Sequence, residues 1–288
     1  MSRNFRELLE AKWEEENFVC IGLDPDITKI PQSEKDAYHN VADIFVSFCA
    51  NIIEATKDIV CAYKPNSAFY ERYGGEGMKA LRRTIDYIHR AAHNIPVILD
   101  AKRADIDNTN IGYVHSAFEE LEADAVTVHP YLGAQALKPF LDQKDKGIIV
   151  LCRTSNKGAG EFQDLPVQTD WAPDGTMPLY QYVAMRVAKD WDENENCAVV
   201  VGATYPEELK IVRDIVGDMP ILIPGIGAQG GDLEKTVQAG KDGCGSGMII
   251  NSSRGIIFAS NGEDFDEAAR REALKFHEQI KACLEVEV

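Results

Sequence analysis

The chain is short of cations. Its 288 residues carry 30 Lys+Arg against 47 Asp+Glu, a formal net charge of −17 with neutral His. Nucleic acid and anionic lipid both reward a basic surface, so this balance speaks against either as a partner; a small anion needs only a local cluster of cations and stays possible. No apolar run approaches the ~20 residues of a membrane span. The seven cysteines (Cys20, Cys49, Cys61, Cys152, Cys197, Cys244, Cys283) are scattered, odd in number and never at C-x-x-C spacing, a poor fit to a disulfide framework or a zinc site. They read as small core hydrophobes in a reducing compartment. The opening MSRNFRELLEAKWEEEN is charged throughout, which a signal peptide is not. These absences predict a cytoplasmic protein. Low-complexity linkers and internal repeats are also missing, so one domain over 1–288 is expected.

What is present is a beat. Eight short apolar runs recur: Phe18–Leu23, Ile59–Tyr63, Pro96–Leu99, Ala125–His129, Gly147–Cys152, Cys197–Val201, Pro220–Ile223 and Gly247–Ile250. They are rich in Val and Ile and do not alternate with polar residues, as expected of parallel strands buried on both faces. Amphipathic helical patterns lie between them, at Val41–Thr56, Met78–Ala92, Tyr180–Lys189, Pro206–Val216 and Asp232–Ala239. Eight strand–helix units in this length predict an α/β protein, a single (β/α)8 (TIM) barrel, with a doubly wound open sheet as the competitor. Extra terminal helices are predicted from the stripes Phe5, Leu8, Leu9, Trp13 and Phe265, Ala269, Ala273, Phe276, Ile280, Leu284. Asn156–Thr176 has three Gly, two Pro and no period. Structureless stretches above ~15 residues are uncommon in compact domains unless functional or disordered. This one follows the fifth strand and would leave from the C-terminal barrel face, so it reads as an active-site lid or as a plain surface excursion.

Asp24, Lys64, Asp100 and Lys102 stand at or just past the C-terminal ends of predicted strands, the face on which such barrels carry their sites. Singly each reads as a solvated strand end; together they suggest a site. In LDAKRAD, Asp100 and Lys102 are two apart on a strand and so point the same way, ~6.6 Å between Cα atoms, with Asp105 following as the chain leaves. An ammonium between carboxylates stays charged and can donate a proton; a structural ion pair at a strand end has the same spacing. Two features suggest phosphate. PGIGAQGGD (224–232) follows the seventh strand, its glycines opening backbone N–H groups to an anion next to a helix start near Asp232. NSSRG follows the eighth, with Arg254 available as a clamp. A P-loop is excluded because no Gly-Lys-Ser/Thr is present, and the glycines of GIGAQG (225–230) are not read as a dinucleotide fingerprint. The six histidines offer no H-x-H or H-E-x-x-H, so no metal site is predicted; His129, ending the fourth strand, reads as a packing or supporting residue.

The motifs LDAKRADI (99–106), KPNSAFYE (64–71), RTSN (153–156), PGIGAQGGD (224–232) and SSRG (252–255) resemble those of the orotidine 5′-phosphate decarboxylases, in their longer, bacterial-type (type 2) subgroup. The matches run in order from Asp24 to Arg254 and cover nearly the whole chain. Asp-x-Lys-x-x-Asp alone is shared with sister enzymes of the superfamily; the combination is specific. Ala104 departs from the more usual Gly. The resemblance implies a barrel homodimer that converts orotidine monophosphate to uridine monophosphate and CO2 without cofactor or metal. It implies ribose contacts by Asp24 and Lys64, and a charge network of Lys64, Asp100, Lys102 and Asp105 with Lys102 as proton donor. Asp105, Ile106 and Thr109 would reach the neighbouring subunit's site, Ser155 would touch the pyrimidine, and Gln229 and Arg254 would hold the phosphate.

Two other readings compete. A metal-dependent sugar-phosphate decarboxylase or aldolase of the same superfamily would use a similar barrel with Mg2+, but is expected to carry a carboxylate where this chain has Lys64. A catalytically dead barrel sensing a phosphorylated metabolite would not need Lys102 flanked by two aspartates.

Overall fold

The computed structural model describes residues 3–226 and 232–285. Eight parallel strands form its centre: β1 (Val19–Ile21), β2 (Val60–Tyr63), β3 (Ile98–Arg103), β4 (Ala125–Val128), β5 (Gly147–Arg153), β6 (Cys197–Val201), β7 (Ile221–Pro224) and β8 (Met248–Ser252). The order across the sheet is β2-β1-β8-β7-β6-β5-β4-β3. The ends of that series meet: Tyr63 bridges Val97 and Asn66 bridges Asp100, both parallel, with Asp100 N–H donating to the Pro65 carbonyl at 3.0 Å. The sheet is a ring. An open doubly wound sheet would leave β2 and β3 as edges, so the barrel reading holds.

The strands are apolar on both faces because the ring has two insides. One face fills the cylinder and the other packs under the helices; β1, β2, β4 and β6 are buried at every position. Helix Val41–Thr56 has the predicted bounds, set at its start by Asn40, whose side chain accepts from Asp43 N–H at 2.9 Å. Pro206 opens Pro206–Val216 from the first turn, where its missing N–H costs nothing. Of the terminal helices, Phe5–Glu14 lies outside the eight units. It is pinned against the N-terminal end of the barrel by Phe5 over Gly147 and by Trp13 Nε1 donating to the Met248 carbonyl at 2.8 Å. Phe265–Leu284 completes the eighth unit, and Phe265 stacks on Phe48 at 5.2 Å. Cys20, Cys49, Cys61, Cys152 and Cys197 are buried free thiols, while Cys244 is exposed.

Segment 156–176 is not structureless. It contains a helical turn, Gly160–Gln163, and two short strands, Pro166–Gln168 and Thr176–Pro178, paired antiparallel. Each strand is three residues long and only Met177 of the two is buried, too little to register as an apolar run. Among the described residues no helix is long and apolar enough to cross a membrane.

Candidate active site

The barrel brings Asp24, Lys64, Asp100 and Lys102 to one rim. Lys64 directly follows β2 and is buried; its Nζ lies 3.0 Å from Asp100 Oδ2. Asp100, also buried, receives Lys102 Nζ on Oδ1 at 2.7 Å. One carboxylate thus braces two ammonium groups, one from each strand at the ring's seam. Burial works against both charges, raising Asp100 and lowering Lys64. The mutual attraction wins, so the Asp100 carboxyl is held well below the usual carboxylate range and Lys64 above the usual lysine range. Both remain ionised at neutral pH. The two ammonium groups differ in access. Lys64 shows only a small part of its side chain, 6%, whereas the Lys102 side chain is 51% exposed and is the more open to a ligand.

The local backbone differs from a regular strand. Lys102 has φ +45°, the left-handed region that residues with a Cβ avoid. The β3–β4 register runs Ile98↔Ala125 and Leu99↔Val126, then skips to Arg103↔Val128. The ammonium and carboxylate meet as expected, but across an irregularity rather than by simple strand alternation.

Asp24 is held from two sides. Its Oδ1 accepts from Asn66 N–H at 3.1 Å and its Oδ2 from Ser253 Oγ at 2.5 Å. Ser253 comes so close that a Cβ on Gly22 would lie 1.9 Å from its hydroxyl, which only glycine permits. Asn66 also reaches Asp100 Oδ2 through Nδ2 at 3.4 Å.

Asp105 does not join this cluster within the chain. Its N–H donates to Asn110 Oδ1 at 2.8 Å, and its own Oδ1 takes the Ile106 N–H at 2.7 Å. The pairing of Lys102 with a second aspartate, expected from the Asp-x-Lys-x-x-Asp spacing, is therefore absent within this chain. The loop turns after Arg103 and carries Asp105 away. Buried Asn110 fixes that turn by also donating to the Asp105 and Ala136 carbonyls at 2.7 and 2.5 Å. Ile106 and Thr109 are exposed, Ile106 at 57%, as are Ile111, Tyr131 and Leu132.

Ser155 is partly buried after β5, against Gly202, where a Cβ would stand 2.7 Å from the serine's own. The next residues lead into 156–176, whose base is well anchored. Arg153 is buried between the rings of Tyr205 and Tyr180 at 4.3 and 5.4 Å and pairs with Asp164 at 2.9 Å. Gln163 and Thr154 exchange hydrogen bonds at 2.9 and 2.8 Å, and Trp171 stacks on Tyr182 at 5.5 Å. His129 lines an apolar cavity of about 570 Å³ behind this segment, with Tyr131, Phe162, Tyr180 and Trp191, and contributes to the rim through its backbone N–H, donated to the Arg103 carbonyl at 3.0 Å.

The residues expected to hold a phosphate are described in part. Gln229 lies outside the described residues. Asn251↔Pro224 pairing sets the loops after β7 and β8 side by side, Gly225 turns with φ +105°, and Arg254 is exposed. The helix start near Asp232 is capped by the Asp232 carboxylate, which accepts from Lys235 N–H at 3.2 Å. Among the described residues no three His, Cys, Asp or Glu side chains are grouped to hold a metal ion.

Sequence reasoning missed Thr127, Asn66, Ser253 and Asn110. Thr127 was detectable as the one hydroxyl inside the apolar run AVTVH. The other three bond to their neighbours through folding alone.

Comparison with known proteins points one way. A family model described as Orotidine 5'-phosphate decarboxylase / HUMPS family matches residues 17–270. Proteins named orotidine 5'-phosphate decarboxylase from Ralstonia pickettii and Cellvibrio japonicus are 49% and 48% identical, over 96% and 97% of this chain and 97% and 99% of theirs. The solved structure of Leishmania donovani OMP decarboxylase superposes with a TM-score of 0.83 at 37% identity, over 99% of this chain and 100% of that one. The chain also matches the Leishmania donovani UMP synthase structure (TM-score 0.85, 39% identity, 98% of this chain), spanning 57% of its length.

Proposed function

The chain belongs to the orotidine 5′-phosphate decarboxylase family, and we propose that its rim of charges carries out that family's reaction with Lys102 as the proton donor. The reaction is the cofactor-independent conversion of orotidine monophosphate to uridine monophosphate and CO2, a carboxy-lyase step of pyrimidine biosynthesis. The bond from ring C6 to the carboxylate breaks, its electron pair stays on C6, and CO2 leaves. That carbanion has no ordinary electron sink. A fixed ammonium close to C6 stabilises the developing charge and then gives it a proton, after which water reprotonates the amine.

The observation that carries this reading is the Asp100-braced Lys102 ammonium, 2.7 Å from its carboxylate and half exposed. Buried Lys64 on the other carboxylate oxygen supports it over the Mg2+-dependent reading, because an ammonium there would repel a cation. Repulsion between Asp100 and the substrate carboxylate would be relieved as CO2 departs. Asp24 and Lys64 would contact the ribose and Ser155 the pyrimidine. Arg254, with Gln229, would hold the phosphate, whose binding energy can draw the 156–176 segment over the site as a lid and exclude water.

A homodimer fits the same reading. Ile106, Ile111, Tyr131 and Leu132 are exposed apolar side chains, and in a dimer Asp105, Ile106 and Thr109 would reach the neighbouring copy's site. The barrel then acts as a single domain on a small nucleotide in the cytoplasm, with neither nucleic acid polymer nor membrane as partner.

The primary test is an ultraviolet assay of orotidine monophosphate loss with and without excess chelator. Equal turnover in both is expected; loss restored by Mg2+ would move the assignment to the sister enzymes. For the shared site, Lys102→Ala and Asp105→Ala subunits are mixed. Some activity should return, since one of the two hybrid sites is intact, and no recovery despite demonstrated subunit exchange would refute a role for Asp105 across the interface.

A further inference from the structure

Thr127 sits in the middle of β4, 1% exposed, paired on one side with Ile149 of β5. On its other side the β3 ladder is interrupted, since the register skips from Leu99↔Val126 to Arg103↔Val128. Three residues of β3, Asp100 to Lys102, therefore lie opposite Thr127 alone. A bulge of this kind leaves backbone groups without a ladder partner. The Thr127 hydroxyl fills the gap: its oxygen accepts the Lys102 backbone N–H at 2.9 Å, and its own hydrogen goes to Asp100 Oδ1 at 2.9 Å. One hydroxyl can do both, having one donor and two lone pairs.

We propose that Thr127 is a positioning residue that sets the ammonium of Lys102 against Asp100 by holding the backbone of one and the carboxylate of the other through a single oxygen. Lys102 sits in the left-handed region at φ +45°, which persists only where surrounding contacts over-determine it. The bond from its N–H to Thr127 is one such contact. Asp100 Oδ1 also takes the Lys102 Nζ, while Lys64 and Asn66 share Oδ2. The Thr127 donor thus fixes the carboxylate's rotation on the side where the chemistry would occur. A purely structural role in β4 needs only a β-branched side chain of this shape, which valine supplies. The hydroxyl is what packing does not require.

The inference rests on the decarboxylase reading, and the variants separate the two. For Thr127→Val, losing one charge-assisted bond should lower kcat roughly 10–100-fold while KM and the affinity for uridine monophosphate stay within about 3-fold of wild type. Thr127→Ser, which keeps the oxygen, should recover kcat to within about 3-fold of wild type. Undiminished kcat in Thr127→Val would overturn the proposal. So would Thr127→Ser as slow as Thr127→Val, or a loss of product affinity equal to the loss of kcat. Should Thr127→Val fail to fold, Thr127→Ala is read in the same way. Should the wild-type protein itself leave orotidine monophosphate intact, the function reading fails, and a crystal structure of Thr127→Val decides this one alone. Its Lys102 should leave the left-handed conformation and its Nζ should draw more than about 4 Å from Asp100; an unchanged Lys102 would overturn it.

Discussion

The two ends of the barrel use the same kinds of charged side chain to opposite purpose. At the N-terminal end, buried Arg213 donates to the carbonyls of Gly240, Gly217, Met219 and Gly247, each at 2.7 Å. Arg3 grips fully buried Asp124 with two bonds of 2.8 Å, and the same carboxylate takes the Val97 N–H. These donors are consumed by backbone and partner within the fold. At the C-terminal end Lys102 keeps half its side chain in the open and Arg254 is exposed. Charges satisfied internally hold loops together; charges left incompletely satisfied are available to a ligand. The lesson is that burial and charge type do not distinguish structural from functional ions here, whereas the donor capacity left over does.

Substitutions at the two ends should therefore fail in different ways. The largest effect is expected at the mouth: Lys102→Ala should lower turnover of orotidine monophosphate by at least about 10⁴-fold with little change in thermal midpoint, checked by steady-state kinetics beside calorimetry. Arg213→Ala should do the reverse. Leaving several buried carbonyls unpaired should cost about 3–5 kcal/mol of stability, measured by urea unfolding, with kcat unchanged on the folded protein. Arg254→Ala should raise KM about 10–100-fold, the value of a charge-assisted phosphate contact, and leave stability alone. An Arg254→Ala protein that unfolds more readily, or an Arg213→Ala protein that is stable but inactive, would break the distinction.

The smallest effect is in acid. Burial raises Asp124, but its bonds from Arg3 and His89 more than offset this and the carboxyl ends below the usual range; Asp100 follows the same pattern through its two lysines. A depressed folded pKa gives stability that is complete above the ordinary carboxylate range, ~4, and is lost as pH falls toward the folded value. Lys64 has the opposite sign: its raised pKa gives stability present below the ordinary lysine range and lost only in strong alkali. Urea midpoints should be flat through neutrality and fall below about pH 4. Asp124→Asn should flatten that acid limb while lowering the neutral plateau.

Much of this was legible in the sequence, for physical reasons. Strands buried on both faces are apolar, so all eight were visible, although β3 runs on past its apolar start through Asp100–Arg103, and Asn40 and Pro206 mark their helix starts chemically. The cluster of Asp24, Lys64, Asp100 and Lys102 followed once strand ends were aligned. What stayed hidden depends on register. That Thr127 meets both Asp100 and Lys102 is decided by a skip in pairing with a strand some 25 residues away. The left-handed backbone at Lys102 has no signal in LDAKRAD, where a regular strand is the natural expectation. The Pro166–Gln168 and Thr176–Pro178 pair packs too little apolar surface to leave a pattern. Arg213 and Arg3 have no sequence signal, because their partners are backbone carbonyls and, for Arg3, an aspartate 121 residues away.

The closure between β2 and β3 has a consequence for how the molecule holds a ligand. The ring is joined there by the Tyr63–Val97 and Asn66–Asp100 bridges and by the Lys64–Asp100 ion pair, so the fastening of the cylinder and its charged rim share Asp100. A nucleotide that touched Lys64 and Asp100 would staple the two ends of the sheet to each other. Occupancy and circumferential integrity become one event, and amide hydrogens at Tyr63 and Asp100 should exchange more slowly once uridine monophosphate is bound.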